Sequence, residues 1–139
     1  FVQPSLYNIW VKIDVDLDPA TPKIRANSIH IQQIFLNVLL NAMQAIQQSG
    51  EIHVKSCYDP QQQIINVAIT DTGSGIPAEL GDKIFNPYVT TKRTGTGLGL
   101  FIVKQTLEKY GGQISITSSK DKKTVCLIRL PVSKQTDGG

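Results

Sequence analysis

The sequence predicts an α+β fold, a two-layer α/β sandwich in which helices cover one face of a mixed, mostly antiparallel sheet. Strand-like and helix-like patterns follow one another in the order β, α, β, β, loop, α, β, β, which supplies both layers from one chain. A length of 139 residues suits one domain and lets folding hide about two thirds of the unfolded surface. With 40% hydrophobic and 18% charged residues, the composition excludes disordered, collagen-like and disulfide-scaffold proteins.

The first strand and the first helix have the clearest patterns. Apolar and polar residues alternate from Val11 to Leu17, which is typical of a half-buried strand. Apolar residues then recur every three or four positions up to Gln48, and Gly50 ends the run. This spacing predicts a long core helix that begins at Asn27 or Ser28, because either side chain can cap a helix N-terminus.

The rest of the chain predicts two strand pairs, a short helix, a polar and flexible loop, and a second long helix. The strand pairs are expected at residues 51–58 with 64–70 and at residues 113–118 with 124–130. The short helix is expected at 78–84, the loop at 86–96 and the long helix at 98–110, with Gly111 as its left-handed stop. About three helices are therefore expected.

The distribution of charge along the chain indicates the kind of ligand. The first 71 residues carry four Lys or Arg against six Asp or Glu, whereas the remainder carries ten against five. A basic second half favours an anionic ligand, with solvated lysines as the alternative, and the lack of basic repeats with interleaved aromatics argues against nucleic acid.

Cys57 and Cys126 have no metal-ligand spacing, which indicates buried free thiols in a reducing compartment. No signal peptide or apolar span of about 18 residues is present.

An amide stripe runs along the first helix. Residues 28–48 contain no Asp, Glu, Lys or Arg, yet carry amides at spacings of three and four, namely Gln33, Asn37, Asn41, Gln44 and Gln48. A solvent-facing stripe would favour Glu and Lys, because Asn lowers helix propensity. Neutral amides indicate a lined cavity, where an amide oxygen can bind Mg²⁺ and leave its charge to act on phosphates. The alternative is that the stripe packs under a loop.

Asp71 is the second candidate. In a regular strand it continues the face of Val67 and Ile69, so a carboxylate points where core residues point. Because burying an unpartnered carboxylate is costly, a donor is needed, and the following Thr72-Gly73-Ser74-Gly75 offers backbone freedom without a basic side chain. The N6 amino group of adenine is a suitable donor, whereas guanine presents an acceptor there. An Asx turn that caps the loop is the alternative.

A glycine-rich segment, residues 94–100, opens directly into the second long helix. It is not a P-loop, because no Gly-Lys-Ser/Thr follows, and it also fails the GxGxxG pattern. Free backbone N–H groups and the helix dipole nevertheless face the glycine loop, which predicts phosphate binding. Thr90, Thr91, Lys92 and Arg93 are nearby donors.

Four motifs in order, NVLLNAMQA, DTGSGIP, IFNPYVTTK and GTGLGL, resemble the N, G1, F and G2 boxes of the histidine-kinase catalytic domain. The resemblance covers about residues 9–132, so residues 1–139 are expected to form one catalytic ATP-binding domain without the acceptor-histidine dimerisation domain. FNPYVTTK and NAMQA are similar to the nitrogen-regulation type of sensor kinase. The wider group, which includes gyrase B and the ninety-kilodalton heat-shock chaperones, shares the Bergerat ATP-binding fold, which the resemblance therefore implies here.

The resemblance implies roles for individual residues. Asn41 would ligate Mg²⁺, Asn37 would support the phosphate side, and Lys92 would reach the phosphates. Asp71 would bind adenine N6, and Thr124 would hold the base through water. Phe85 and Pro87 match the F box, which anchors the lid and meets the partner helices. The remaining nucleotide-binding residues implied are Gly73, Gly75, Ile76, Tyr88, Thr90, Thr91, Gly95, Thr96, Gly97, Leu98 and Gly99.

The implied function is to bind Mg·ATP and donate its γ-phosphoryl group to a histidine on separate dimerisation helices, with a response regulator as an indirect partner. This would be a cytoplasmic protein histidine kinase domain that contacts neither nucleic acid nor membrane. Two departures matter: Gln44 stands where many sensor kinases have lysine, and Asn37 stands where the group's ATPases have a water-activating glutamate. The alternatives are an ATPase of that group, an anti-sigma-type serine kinase and a nucleotide-gated interaction module.

Overall fold

The computed structural model of the chain describes residues 10–46, 49–73, 75, 81–87, 99–118 and 123–132. The elements follow the predicted order: β1 Trp10–Asp16, α1 Ser28–Ala45, β2 Ser49–Asp59, β3 Ile64–Asp71, a 3-10 helix Gly81–Phe85, α2 Gly99–Lys109, β4 Gln113–Ser118 and β5 Thr124–Pro131. Among these described residues, no helix combines the length and apolar character needed to cross a membrane.

The five strands form one sheet in the order β1-β2-β3-β5-β4. β1 pairs with β2 in parallel, and the other three pairings are antiparallel. The two α-helices contact each other, α1 also contacts β3, and α2 also contacts β4. The predicted two-layer sandwich with a mixed, mostly antiparallel sheet is therefore confirmed.

The predicted cap of α1 and the predicted stop of α2 are confirmed, but α1 ends earlier than predicted. Asn27 is the N-cap of α1, and its side chain accepts a hydrogen bond from the Ile29 N–H at 2.9 Å. The helix ends at Ala45, before the predicted Gln48, because Ile46 already has an extended backbone. Gly111 follows α2 with φ of +74°, as expected for a left-handed stop.

The expected number of helices, about three, was slightly too high for the described residues, which contain two α-helices and one 3-10 helix. The short helix predicted at 78–84 overlaps that 3-10 helix, while residues 76–80 lie outside the described part of the chain. A segment of five residues forms very few i to i+4 hydrogen bonds, and short helical segments are commonly of the 3-10 type.

The core lies between the sheet and the two helices, and its members follow the periods that the sequence predicts. Alternate residues are buried along β3 and β5, and residues three or four apart are buried along α1 and α2. The buried apolar cluster comprises Ile34, Val38, Ala42, Ile46, Ile52, Ile65, Val67, Ile69, Val103, Leu107, Cys126, Ile128 and Leu130.

β1 corrects the prediction of a half-buried first strand. Val11 packs against the core, but Ile13 and Val15 on the same alternation are 48% and 60% exposed. β1 lies at one edge of the described sheet, whereas α1 and α2 contact the inner strand β3 and the far edge strand β4. The alternation therefore identified a strand, but the described helices do not cover its apolar face.

The two cysteines also differ from each other, which corrects the prediction that both are buried. Cys126 is buried on β5, whereas Cys57 is exposed on β2, because the neighbouring Ser56 takes the inward position there. Burial, and then the negative charge of Asp71, raise the pKa of the Cys126 thiol to about 12.

We therefore expect iodoacetamide at pH 8 to modify Cys57 and to spare Cys126 in the folded chain. The thiolate is the reactive form, and a pKa near 12 leaves Cys126 protonated at that pH. Mass spectrometry of the native and the urea-unfolded protein measures the difference, with both thiols modified after unfolding. Rapid native modification of Cys126 would contradict the prediction.

Candidate functional site

The candidate site is built around Asp71 at the end of β3. Asp71 is only 5% exposed, and it lies on the same face as the buried Val67 and Ile69, as the sequence predicted. Ile52 on β2 and Thr124 on β5 stand opposite it, and Thr124 is also buried. The sheet therefore brings a buried carboxylate and a buried hydroxyl side by side.

The Asp71 carboxylate also forms the Asx turn that the sequence left as an alternative. Its Oδ1 atom accepts a hydrogen bond from the Gly73 N–H at 2.8 Å. An ionised carboxylate offers about four acceptor positions, so this turn and an amino group of a ligand can use the same side chain. The two interpretations of Asp71 are therefore compatible.

The loop after Asp71 is fixed to β2 at its first residue. The Thr72 N–H donates to the Glu51 carbonyl at 3.2 Å, and the Glu51 N–H donates to Thr72 Oγ1 at 3.0 Å. A Cβ on Gly50 would lie 2.6 Å from Thr72 Oγ1, so glycine leaves room for this hydroxyl. The sequence identifies Thr72 only as part of the flexible segment after Asp71, and its two bonds to Glu51 depend on the pairing of β2 with β3.

Gly73 and Gly75 carry the loop between α1 and the strands β4 and β5. A Cβ on Gly73 would lie 2.6 Å from the Ala45 Cβ and 2.7 Å from the Ala45 carbonyl oxygen, so the loop touches the end of α1. Gly75 has φ of +81°, and a Cβ there would meet Ser118 at 3.4 Å and Thr124 at 3.9 Å. Both glycines predicted for the site are therefore required by the geometry.

We expect Gly73→Ala to lower the free energy of unfolding by about 1–3 kcal/mol, the usual cost of overpacking. The new methyl group would overlap both the side chain and the backbone of Ala45, so either the loop or the end of α1 must move. Urea unfolding measures the change. Gly99→Ala is the stability control, because a Cβ there meets no atom of the described residues within 4 Å. Equal stability of wild type and Gly73→Ala would show that the close contact is absent.

The amide stripe of α1 leads away from this loop. Asn37 and Asn41 are half-buried, Gln33 and Gln44 are exposed, and Gln48 lies outside the described residues. At a rise of about 1.5 Å per residue, Asn41 lies about 6 Å along the axis from Ala45, which touches Gly73, and Asn37 lies one turn further. The two asparagines therefore mark a line that starts at the Asp71 loop and follows α1.

The second helix begins where the sequence predicts its phosphate-binding end. α2 starts at Gly99 and has no acidic residue in its first turn, so its positive dipole end is not offset by a carboxylate of its own. The other site residues of the glycine-rich segment and the preceding loop lie outside the described part of the chain and remain predictions: Ile76, Tyr88, Thr90, Thr91, Lys92, Gly95, Thr96, Gly97 and Leu98.

The F-box residue Phe85 ends the 3-10 helix and is buried, with the Lys104 ammonium of α2 lying 5.5 Å from its ring centroid. A cation over an aromatic face is attracted by the ring, so this pair ties the 3-10 helix to α2. Pro87 is exposed just beyond it. Phe85 therefore packs inward, whereas Asn86 and Pro87 after it are exposed.

The structure adds Ser118 to the predicted residues. Its Oγ lies 3.4 Å from Thr124 Oγ1 across the β4–β5 pair, beside Gly75. The strand prediction contained the signal, since Ser118 and Thr124 end and begin consecutive antiparallel strands and therefore stand opposite each other. A separate groove of about 340 Å³ lies between α2 and the β4 edge. Lys104 lines this groove, whereas the described residues Asp71, Ser118 and Thr124 do not.

Neither histidine lies at this site. His30 Nδ1 is 2.7 Å from the Tyr110 hydroxyl, which also accepts the Asn27 N–H at 3.1 Å, so it joins the start of α1 to the end of α2. His53 lies on β2 between Asp14 and Glu51. Both imidazoles therefore contact residues away from the Asp71 loop.

Comparison with known proteins gives the same family. Residues 26–134 match the family described as histidine kinase-, DNA gyrase B- and HSP90-like ATPase. The sensor histidine kinase ZraS of Escherichia coli (strain K12) is 41% identical over 112 residues, which are 81% of this chain and 24% of ZraS. The sensory histidine kinase/phosphatase NtrB of Rhodobacter capsulatus is 34% identical over 129 residues, 85% of this chain and 36% of NtrB.

Solved structures agree with these sequence relatives. The mycobacterial sensor histidine kinase MprB is similar with a TM-score of 0.77 and 29% identity, covering 88% of this chain and 82% of that chain. The matched part of the chain spans only about a quarter of the length of ZraS and about a third of the length of NtrB.

Proposed function

Since the chain belongs to the family of histidine kinase-, DNA gyrase B- and HSP90-like ATPases, we propose that it binds Mg·ATP and donates the γ-phosphoryl group to a histidine of separate dimerisation helices. The observation that carries this proposal is the buried Asp71 carboxylate beside a glycine loop that touches the amide-bearing helix α1. A response regulator would then receive the phosphoryl group, and the parent protein would be a cytoplasmic-facing sensor kinase.

Adenine binds at the Asp71 end of the site in this proposal. The carboxylate accepts the N6 amino proton of adenine while Oδ1 keeps its bond from the Gly73 N–H. Thr124 stands opposite Asp71 and supplies a hydroxyl beside the base. Guanine presents a carbonyl oxygen where adenine has its amino group, and two acceptors facing each other at a buried position disfavour it.

The triphosphate follows α1 toward Asn41 and Asn37. Their half-buried amides suit Mg²⁺, because the ion takes oxygen ligands and an amide oxygen adds no negative charge beside the phosphates. When bound with ATP, Mg²⁺ neutralises phosphate charge as the phosphoryl group transfers. The backbone N–H groups at the start of α2 are proposed to bind the phosphates as well. The same role is proposed for Lys92, Thr90 and Thr91.

The reaction is an in-line displacement in which a neutral imidazole nitrogen forms the new N–P bond while the bond from the γ-phosphorus to the β-bridging oxygen breaks and ADP leaves. The domain contributes placement and charge neutralisation, which dominate phosphoryl transfer. Asn37 cannot accept a proton from water as a carboxylate would, so hydrolysis of ATP is expected to be slow. This favours transfer to an imidazole over an ATPase function.

The test is incubation with γ-labelled ATP, with and without the dimerisation helices of a parent kinase. We expect no label on the chain alone and acid-labile label on the added helices, because His30 and His53 are both held by structural partners. Helices with the acceptor histidine changed to glutamine are the matched control. Acid-labile label on the isolated chain, abolished by His30→Gln or His53→Gln, would overturn this division of roles.

A further inference from the structure

The face of the sheet opposite the helices carries a histidine between two carboxylates. Asp14 of β1 stands directly opposite His53 of the parallel strand β2, and Glu51 precedes His53 by two residues on the same face. Their side chains are 49%, 44% and 52% exposed for Asp14, His53 and Glu51, so solvent ions reach all three.

Both carboxylates contact the imidazole of His53, one at each ring nitrogen. His53 Nδ1 lies 3.3 Å from Asp14 Oδ2, and His53 Nε2 lies 3.0 Å from Glu51 Oε1. One ligand atom from each residue lies within 4.8 Å of the others. Ligands at about 2.0–2.2 Å from one ion are roughly 3–3.5 Å apart, a spacing that small rotations of exposed side chains provide.

We propose that Asp14, Glu51 and His53 bind one first-row divalent ion of the Zn²⁺ class, at a site separate from the Mg²⁺ of the nucleotide. An imidazole nitrogen favours Zn²⁺, Co²⁺ or Ni²⁺, whereas Ca²⁺ and Mg²⁺ prefer oxygen alone. One imidazole nitrogen and one oxygen from each carboxylate supply three ligands, and waters complete the coordination. The ion would join the edge strand β1 to β2.

A ladder of ion pairs is the competing explanation for the cluster. Lys12 stands opposite Glu51 and Asp16 opposite Lys55, so pairs of opposite charge flank Asp14 and His53 along the same two strands. Such pairs stabilise strand pairing without metal, and their lysines lower the affinity for a cation. The two explanations differ in one measurable respect, because only the metal site makes stability depend on the added ion.

Calorimetric titration of the whole chain with ZnCl₂, in a Cys57→Ser background that removes the exposed thiol, tests the site. We expect one equivalent to bind, a rise in melting temperature with Zn²⁺, and at least a tenfold weaker affinity for His53→Gln and for Asp14→Asn. Matched controls are His30→Gln, which removes the other histidine, and Asp16→Asn, which lies on the same strand face. Both should bind Zn²⁺ like the background protein.

The absorption spectrum with Co²⁺ gives an independent readout, since nitrogen and oxygen ligands produce no thiolate charge-transfer band. Circular dichroism without metal confirms that each variant folds, and Glu51→Gln replaces any variant that does not. Equal affinity in His53→Gln and the background, a thiolate band from Cys126, or loss of binding in His30→Gln would each overturn the proposal. None of these outcomes depends on ATP binding, so the nucleotide function is tested separately.

Discussion

Replacing Asp71 with asparagine is expected to weaken ATP binding about tenfold to a hundredfold while the fold is retained. The asparagine oxygen can still accept the Gly73 N–H, so the turn after β3 survives. The bond to adenine N6 loses its charge, or meets the amide NH₂ group instead of an acceptor. Charge-assisted hydrogen bonds contribute about 1.5–3 kcal/mol, and about 1.4 kcal/mol corresponds to a factor of ten in affinity.

Calorimetry with ATP and with GTP, together with thermal melts, measures this effect. Wild type should prefer ATP strongly, and Asp71→Asn should lose most of that preference, since the carboxylate is the group that distinguishes the two bases. Asp16→Asn removes an exposed carboxylate of β1 and is the matched control. If Asp71→Asn bound ATP as tightly as wild type, Asp71 would serve the Asx turn alone.

Replacing Asn41 with alanine is expected to remove most of the increase in ATP affinity that Mg²⁺ produces, with a loss of tenfold or more in the presence of the ion. The proposed metal ligand is the amide oxygen of this half-buried side chain. Asn41→Asp is the more specific variant. A carboxylate can still bind Mg²⁺ but adds negative charge beside the triphosphate, so phosphoryl transfer should fall more than folding stability.

Titrations of ATP with Mg²⁺ and with EDTA separate metal-dependent from metal-independent binding. Gln33→Ala is the matched control, because Gln33 lies on the same stripe of α1 but is exposed and two turns away from Asn41. Equal enhancement by Mg²⁺ in wild type and Asn41→Ala would place the metal ligand elsewhere. A loss of affinity that is the same in EDTA would mean that Asn41 contacts the nucleotide directly.

Several features of the fold followed from local patterns. The alternation along β3 required Asp71 to share the face of Val67 and Ile69, and the structure confirms this, because side chains of a regular strand alternate strictly. The cap at Asn27 and the stop at Gly111 were equally local, since each depends on a few consecutive residues. The order of the strands and helices was predicted for the same reason.

Other features depended on which segments meet in space. The contact of Gly73 with Ala45, the bonds between Thr72 and Glu51, and the pairing of Ser118 with Thr124 each join residues from different elements. Family resemblance predicts Gly73 and Thr124 at the site, but the sequence contains no signal for their partners. Packing decides these contacts, and periodicity within one element carries no information about the element on the other side.

The edge of the sheet is the clearest case of this division. The residues of β1 alternate as a half-buried strand does, and that pattern alone establishes an extended backbone there. Whether Ile13 and Val15 are covered depends on where the helices lie, and the described helices lie over other strands. The same parallel pairing sets Asp14 beside His53, because register is a property of two strands and is not encoded in either one separately.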